Sequence, residues 1–214
     1  MQISTLMSYA QGYVGATKEI MEMEKAGLDV VWVPEAYSFD APSAMGYLAA
    51  KTERVTIASG ILPIYSRTPT LLAMTAAGID ALSEGRCMLG LGASGPQVIE
   101  GFHGVPYDAP ATRIREIIEI CRKVWRRDEK LVHDGRKYQI PLPEGEGTGL
   151  GKPLKIINHP YRDEIPIALA TLGDKSVELT AELADAWLPA FYMAEGADAV
   201  WGDALRRGNA KRDP

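Results

Sequence analysis

The chain has 214 residues, 46% hydrophobic and 24% charged, with a formal net charge of −5, which predicts a globular protein with a sizeable core. This balance excludes the basic face that nucleic-acid binding requires, and no apolar run approaches the ~18 residues of a membrane span. The N-terminus lacks the regions of a signal peptide and the two cysteines form no C-x-x-C pair, so we expect a cytoplasmic protein with Cys87 and Cys121 buried.

Apolar runs alternate with helical patterns over the first 92 residues. Strands are predicted at four runs, residues 2–8, 28–35, 55–62 and 87–92. Helices are predicted between them, from Thr17 to Gly27, from Asp40 to Lys51 and from Thr68 to Gly85. The run "LDVVWVPE" is almost continuously apolar, which is typical of a strand covered on both faces in a parallel sheet.

The second half interrupts this alternation once. Residues 111–127 predict an amphipathic helix. Residues 132–157 combine a hairpin-like Asp134-Gly135 with a glycine-rich stretch, so we predict an excursion from the sheet with a mobile loop at 144–151. We assign residues 132–164 as an insertion within a single domain, 1–214. The alternation then resumes with a strand at 165–173, a helix at 174–184, a strand at 185–190 and a helix from Ala194.

Strand and helix thus alternate about six times, which predicts a parallel sheet with helical crossovers. A doubly wound sheet and a (β/α)₈ barrel both fit this pattern. A barrel typically needs about 250 residues, so six units are two short of closure. Either the fold is open, or a barrel lacks its last two units. The ending "RRGNAKRDP" resembles a helix end followed by a cut, and exposed sheet edges favour a homodimer.

The segment "MLGLGASGPQ" contains Gly90-x-Gly92-x-x-Gly95, the spacing of a dinucleotide-binding fingerprint. That fingerprint belongs in the first strand-turn-helix unit, whereas these glycines close the fourth strand, with Pro96 and a loop predicted to follow. A glycine-rich strand end also serves where backbones approach closely. In a barrel, the strand end would open toward a ligand through Gly92, Ala93, Ser94 and Gly95.

Other strand ends carry comparable signals. Glu35 follows an apolar run, small residues interrupt the third strand at Ser59-Gly60-Ile61, and Leu172-Gly173-Asp174 opens a helix whose free N–H groups suit an anion. Each has a structural alternative: a helix cap or ion-pair partner for Glu35, a bulge at Ser59-Gly60, and plain capping at Gly173-Asp174.

The three histidines are His103, His133 and His159. They have no metal-ligand spacing, so we expect no metal site.

Four segments together resemble one family. They are "GLDVVWVPEA", "VTIASGILPIYSRTP", "LLAMTAAGIDALSEGRCMLGLGASGPQVIEGFHG" and "IALATLGDKSVELTAELADAW". They are similar to the luciferase-like monooxygenase superfamily, in particular to its coenzyme F420-dependent oxidoreductases, and the resemblance covers nearly the whole chain. It implies a TIM barrel with an insertion after the fourth helix. Family members complete all eight units, which implies that the last two are missing here.

The resemblance also implies roles for particular residues. The bond Gly60–Ile61 matches a non-prolyl cis peptide behind the cofactor ring, and Glu35 matches an acidic residue near the reaction centre. Ala36 stands where relatives often have histidine. The loop of Gly92, Ala93, Ser94 and Gly95 matches a cofactor contact, and the amides of Leu172, Gly173 and Asp174 match a phosphate site.

The implied reaction is hydride transfer between coenzyme F420 and a small organic substrate, because a deazaflavin moves a hydride through a ring atom. Glu35 is the expected proton-handling residue, and His103 is the weaker candidate. Two alternatives stay open: an FMN-dependent luciferase-like monooxygenase, and a non-catalytic cofactor-binding paralogue. The resemblance likewise implies a homodimer.

Overall fold

The computed structural model describes residues 2–8 and 12–212. Its strands are β1 Ser4–Leu6, β2 Val30–Val33, β3 Thr56–Ser59, β4 Leu62–Pro63, β5 Cys87–Gly92, β6 His133–Asp134, β7 Gln139–Ile140, β8 Ile167–Ala170 and β9 Ala186–Trp187. Its helices are α1 Gly12–Lys25, α2 Ala41–Ala49, α3 Pro69–Leu82, α4 Pro96–Gly101, α5 Pro110–Arg126, α6 Asp174–Leu183 and α7 Ala194–Asn209. No described helix is both long and apolar enough for a membrane crossing.

The predicted parallel sheet is confirmed. Its strands follow the order β1-β2-β3-β5-β8-β9, with β4 paired to β5, and every pair is parallel. The predicted caps are also present, since Asp40 accepts the N–H of Ser43 and Thr68 accepts that of Leu71. Large side chains from β2, β3, β5 and β8 pack with those of the helices into one core. The cysteines are buried within it, and burial raises the pKa of Cys87 to about 12.

Three boundaries differ from the sequence predictions. The third strand divides into β3 and β4 around a cis Gly60–Ile61 peptide, and β4 pairs only with β5. The loop predicted after Gly95 is wrong, because helix α4 begins there at once. Pro96 occupies its first turn, where a fixed φ and a missing N–H suit the helix. Helix α1 begins at Gly12, five residues before Thr17, with Ala16 buried against the core.

The excursion between α5 and β8 contains the predicted hairpin, formed by antiparallel β6 and β7. The buried carboxylate of Glu116 fastens this hairpin to α5 by accepting the N–H groups of Arg136 at 2.8 Å and Tyr138 at 2.8 Å. Gly135 is required beside it, since a Cβ there would lie 2.5 Å from the Glu116 carboxylate. A residue of α5 thus positions the excursion, whereas mobility at 144–151 stays a prediction.

A second buried carboxylate, Glu24 of α1, holds the segment that leads into β3. Its oxygens accept the N–H groups of Arg54 and Val55, each at 2.7 Å, and that of Glu53 at 3.1 Å. Burial favours the neutral form, but these N–H groups and the charge of Arg86 together hold the pKa of Glu24 below its usual value of 4.5. Ionised Glu24 therefore stabilises the fold.

This geometry predicts a defined acid sensitivity. Because the folded-state pKa of Glu24 is depressed, its contribution is complete above pH 4.5 and is lost as the pH falls through the folded-state value. Glu24→Gln is expected to lower the free energy of unfolding at neutral pH by ~1–3 kcal/mol and to flatten its decline in acid. Urea unfolding at several pH values measures this. The control is exposed Glu53→Gln, and identical acid slopes for wild type and Glu24→Gln would contradict the assignment.

Candidate functional site

A cavity of about 390 Å³ opens beside Ile61, where β5, β8 and β9 end. This volume lies within the usual range of ligand pockets, ~300–1,000 Å³. Six of the residues predicted for the site line it, namely Ile61, Gly92, Ala93, Ser94, Leu172 and Gly173. A larger, mostly apolar cavity of about 460 Å³ lies between α3, α5 and residues 152–158. We assign the site to the smaller cavity, because parallel strands present ligand-binding groups at their carboxyl ends.

One wall of the cavity is the segment between β3 and β4. Ile61 lines it, and a Cβ at Gly92 would lie 3.1 Å from the Ile61 side chain. Gly60 precedes Ile61 and packs on Trp32, because a Cβ at Gly60 would stand 3.0 Å from the Trp32 Cβ and 3.6 Å from its ring. The Ser59 hydroxyl donates to the Gly90 carbonyl and accepts the Gly90 N–H, each at 2.8 Å. These bonds fix β3 to β5 immediately below the cavity.

The floor of the cavity is the turn after β5. Ser94 has a φ of +57°, a left-handed conformation that few non-glycine residues adopt. It turns the chain from β5 into Gly95, which caps α4. Gly92, Ala93 and Ser94 line the cavity, whereas Gly95 is not among its lining residues.

The N-terminus of α6 offers unpaired donors at the opposite end. Ser176 and Val177 donate their N–H groups to the Gly173 carbonyl. In residues 2–8 and 12–212, the N–H groups of Gly173, Asp174 and Lys175 donate to no protein acceptor. The Asp174 side chain is not part of the cavity lining, and its carboxylate pairs with Arg207 at 2.6 Å. Free donors and the positive end of the helix dipole suit an anion here.

Glu35 lies outside the cavity lining, in an ion pair. Arg67 binds both of its oxygens, one of them at 2.9 Å, and Glu35 also accepts the N–H of Ala41 at 2.7 Å. Its side chain is only 7% exposed. The arrangement matches the ion-pair and capping alternative, and Arg67 is a partner that sequence reasoning missed. A catalytic role for Glu35 stays a prediction.

His103 is also absent from the cavity lining. Its ring packs edge-on against Phe102, with centroids 5.3 Å apart. Within the part of the chain that the structure describes, its buried Nε2 atom has no hydrogen-bond partner. Its role in catalysis stays a prediction. Across the same described residues, no three histidine, cysteine or acidic side chains converge as metal ligands would.

Further lining residues were not predicted, among them Tyr107, Thr171, Ser176 and Leu188. Thr171 and Ser176 flank residues 172–175, which contain the predicted phosphate site and are here named the anion turn, so the turn itself was the available signal. No sequence signal pointed to Tyr107, because it lines the cavity while packing on Tyr65, with ring centroids 5.1 Å apart. Tyr65 is itself fixed by its hydroxyl, which donates to the Asp108 carbonyl at 2.8 Å, and burial raises its pKa to about 12.

Comparison with known proteins decides the family. Residues 3–214 match the family described as luciferase-like monooxygenase. The chain belongs to this family. Its luciferase-like relatives include a Mycobacterium tuberculosis protein, provisionally named a coenzyme F420-dependent oxidoreductase, that is 43% identical over 207 residues, covering 94% of this chain and 59% of the relative. A 5,10-methylenetetrahydromethanopterin reductase of Archaeoglobus fulgidus is 30% identical over 164 residues, covering 76% of this chain and 45% of the enzyme.

Solved luciferase-like structures share the fold. An F420-dependent secondary alcohol dehydrogenase in complex with an F420–acetone adduct superposes with a TM-score of 0.80 at 21% identity, covering all of this chain and 66% of that one. The F420-dependent tetrahydromethanopterin reductase of Methanopyrus kandleri gives 0.78 at 18% identity, covering 99% and 61%. The parallel sheet is therefore a half-barrel of the luciferase-like type. The chain spans less than two thirds of the curated relatives' length.

Proposed function

We propose that the chain supplies the cofactor-binding half of a coenzyme F420-dependent oxidoreductase that transfers a hydride between the deazaflavin and a small organic substrate. The observation that carries the proposal is the cavity at the strand ends, with an apolar wall at Ile61 and Gly173 in its lining. At the adjacent N-terminus of α6, the N–H groups of Gly173, Asp174 and Lys175 have no acceptor among the residues that the structure describes. The F420-dependent relative at 43% identity supports the choice of coenzyme.

The residues present fit a ring that carries a phosphorylated tail. Ile61, Ala93 and Leu188 would hold the ring, since flat aromatic systems bind against apolar walls. The amides at the N-terminus of α6 would hold the phosphate. When bound, a deazaflavin supplies a ring carbon that accepts or releases a hydride and reacts poorly with oxygen.

The two candidate proton-handling residues enter this proposal differently. Arg67 and the Ala41 N–H already engage the oxygens of Glu35, so a role for Glu35 in proton handling has to work from within this ion pair. His103 is the second candidate, and its buried Nε2 atom has no hydrogen-bond partner among the described residues. Its loop follows α4, and the same loop leads to Tyr107 in the cavity lining.

The wider organisation belongs to the same proposal. It assigns residues 1–214 to a single incomplete barrel domain, with residues 132–164 as its insertion. A cytoplasmic location and a homodimer belong to the proposal as well, and the homodimer is supported by the edge strands β1 and β9 of the described sheet, since unpaired edges favour pairing with another chain.

Titration with F420 and with FMN, followed by cofactor fluorescence, tests the assignment. We expect saturable F420 binding, with FMN weaker by about tenfold or more. Tight FMN binding without an F420 response would instead support a flavin-dependent monooxygenase. A screen of small carbonyl compounds with reduced F420 then tests the reaction. Binding of F420 without oxidation of the reduced coenzyme by any compound would favour the non-catalytic paralogue.

A further inference from the structure

Two tryptophans bind the carbonyl groups of Thr171 and Leu172, where the anion turn begins. The indole N–H of Trp187 on β9 donates to the Thr171 carbonyl at 3.0 Å. That of Trp201 on α7 donates to the next carbonyl, Leu172, at 2.9 Å. Both acceptors lie in the segment between β8 and α6, whereas both donors belong to later elements of the chain.

The two indoles belong to one aromatic cluster, Trp187, Tyr192 and Trp201. The tryptophan rings meet edge-to-face with centroids 5.1 Å apart. Tyr192 lies parallel to Trp201 within 5°, at 6.2 Å, and edge-on to Trp187 at 6.1 Å. Such mutual contacts limit how each ring can turn. The indole N–H groups therefore point in fixed directions.

A fixed carbonyl sets the direction of the N–H that follows it. The Leu172–Gly173 peptide is planar and trans, so its C=O and N–H point in opposite directions. The carbonyl held by Trp201 thus directs the Gly173 N–H away from the aromatic cluster. Gly173 lines the cavity and has no atom within 4 Å of where a Cβ would stand. Because no side chain packs at Gly173, the hydrogen bond from Trp201 to the Leu172 carbonyl is what orients the Gly173 N–H.

We propose that Trp187 and Trp201 are positioning residues that orient the N–H groups of the anion turn toward the phosphate of the cofactor. The inference rests on the proposed function, since it takes the bound group to be a phosphorylated deazaflavin. The cluster makes the site selective for the phosphorylated tail, while the ring binds independently of it.

The test compares two ligands that differ only beyond the ribityl chain. Trp201→Phe removes the indole N–H and keeps an aromatic ring. It is titrated with F420 and with the phosphate-free deazaflavin riboside. We expect F420 affinity to fall about tenfold and riboside affinity to stay unchanged. Trp125→Phe is the matched control, because buried Trp125 donates to the Ala73 carbonyl at 2.9 Å, far along the chain from the turn. It should alter neither affinity.

A second measurement separates this inference from the proposed function. Inorganic phosphate is titrated while the backbone amide signals of Gly173 and Asp174 are followed by NMR. Wild type is expected to respond, and Trp201→Phe to respond much less. Unchanged F420 affinity in Trp201→Phe, or an equal loss for both deazaflavins, overturns the inference alone. A phosphate response that depends on Trp201 in a wild-type protein that does not bind F420 supports the anion turn and overturns the proposed coenzyme.

Discussion

Replacing Gly92 with leucine is expected to abolish F420 binding in a protein that still folds. Gly92 ends β5 and lines the cavity. A Cβ there would lie 3.1 and 3.2 Å from two atoms of the Ile61 side chain and 3.5 Å from the Ala170 Cβ. The flexible end of Ile61 can move by the few tenths of an ångström required. The remainder of the leucine then fills space needed by the ring, and we expect an affinity loss of ~100-fold or more.

Gly78→Leu is the matched control for this change. Gly78 lies on α3, is exposed and has no atom within 4 Å of where its Cβ would stand. Fluorescence titration with F420 should give it wild-type affinity. Thermal unfolding of both variants verifies that each is folded. Wild-type affinity in a folded Gly92→Leu would show that the cofactor binds elsewhere, and the larger cavity beside α3 and α5 would become the next candidate.

Replacing Gly90 with alanine, two residues earlier, is expected to prevent folding. A Cβ at Gly90 would lie 1.8 Å from the Ser59 carbonyl oxygen, a backbone atom that cannot move without separating β3 from β5. Both Ser59 hydroxyl bonds to Gly90 would break as well. The cost should exceed ~4 kcal/mol, a large part of the ~5–15 kcal/mol that stabilises an ordinary domain.

Gly78→Ala provides the comparison in urea unfolding. It removes a glycine from a helix interior without any close contact, so the free energy of unfolding should rise by up to ~1 kcal/mol. Gly90→Ala should be recovered as an unfolded or aggregated chain. A Gly90→Ala protein with the wild-type unfolding midpoint would mean that β3 and β5 do not approach as closely as described.

Gly90, Gly92 and Gly95 of the segment "MLGLGASGPQ" have the spacing of a single motif. Their position at the end of the fourth strand argued against a dinucleotide fingerprint, and close backbone approach was one open alternative. The structure assigns that role to Gly90, leaves Gly92 facing the cavity and makes Gly95 the cap of α4. The spacing alone could not separate these roles, because it does not specify what lies across from each residue.

The sequence by itself determined the parallel α/β architecture, the side-chain caps of α2 and α3 and the strand ends that form the cavity. These features follow from local periodicity and from residues such as Asp40 and Thr68 that act within one turn of a helix.

Only the tertiary structure decided the partners of the side chains at the site. Arg67 meets Glu35 from 32 positions away, and Trp201 meets Leu172 from 29 positions away. Such pairs depend on how parallel strands align and where the helices after them pack. Those choices are made by the whole core at once, so no local pattern in the chain records them.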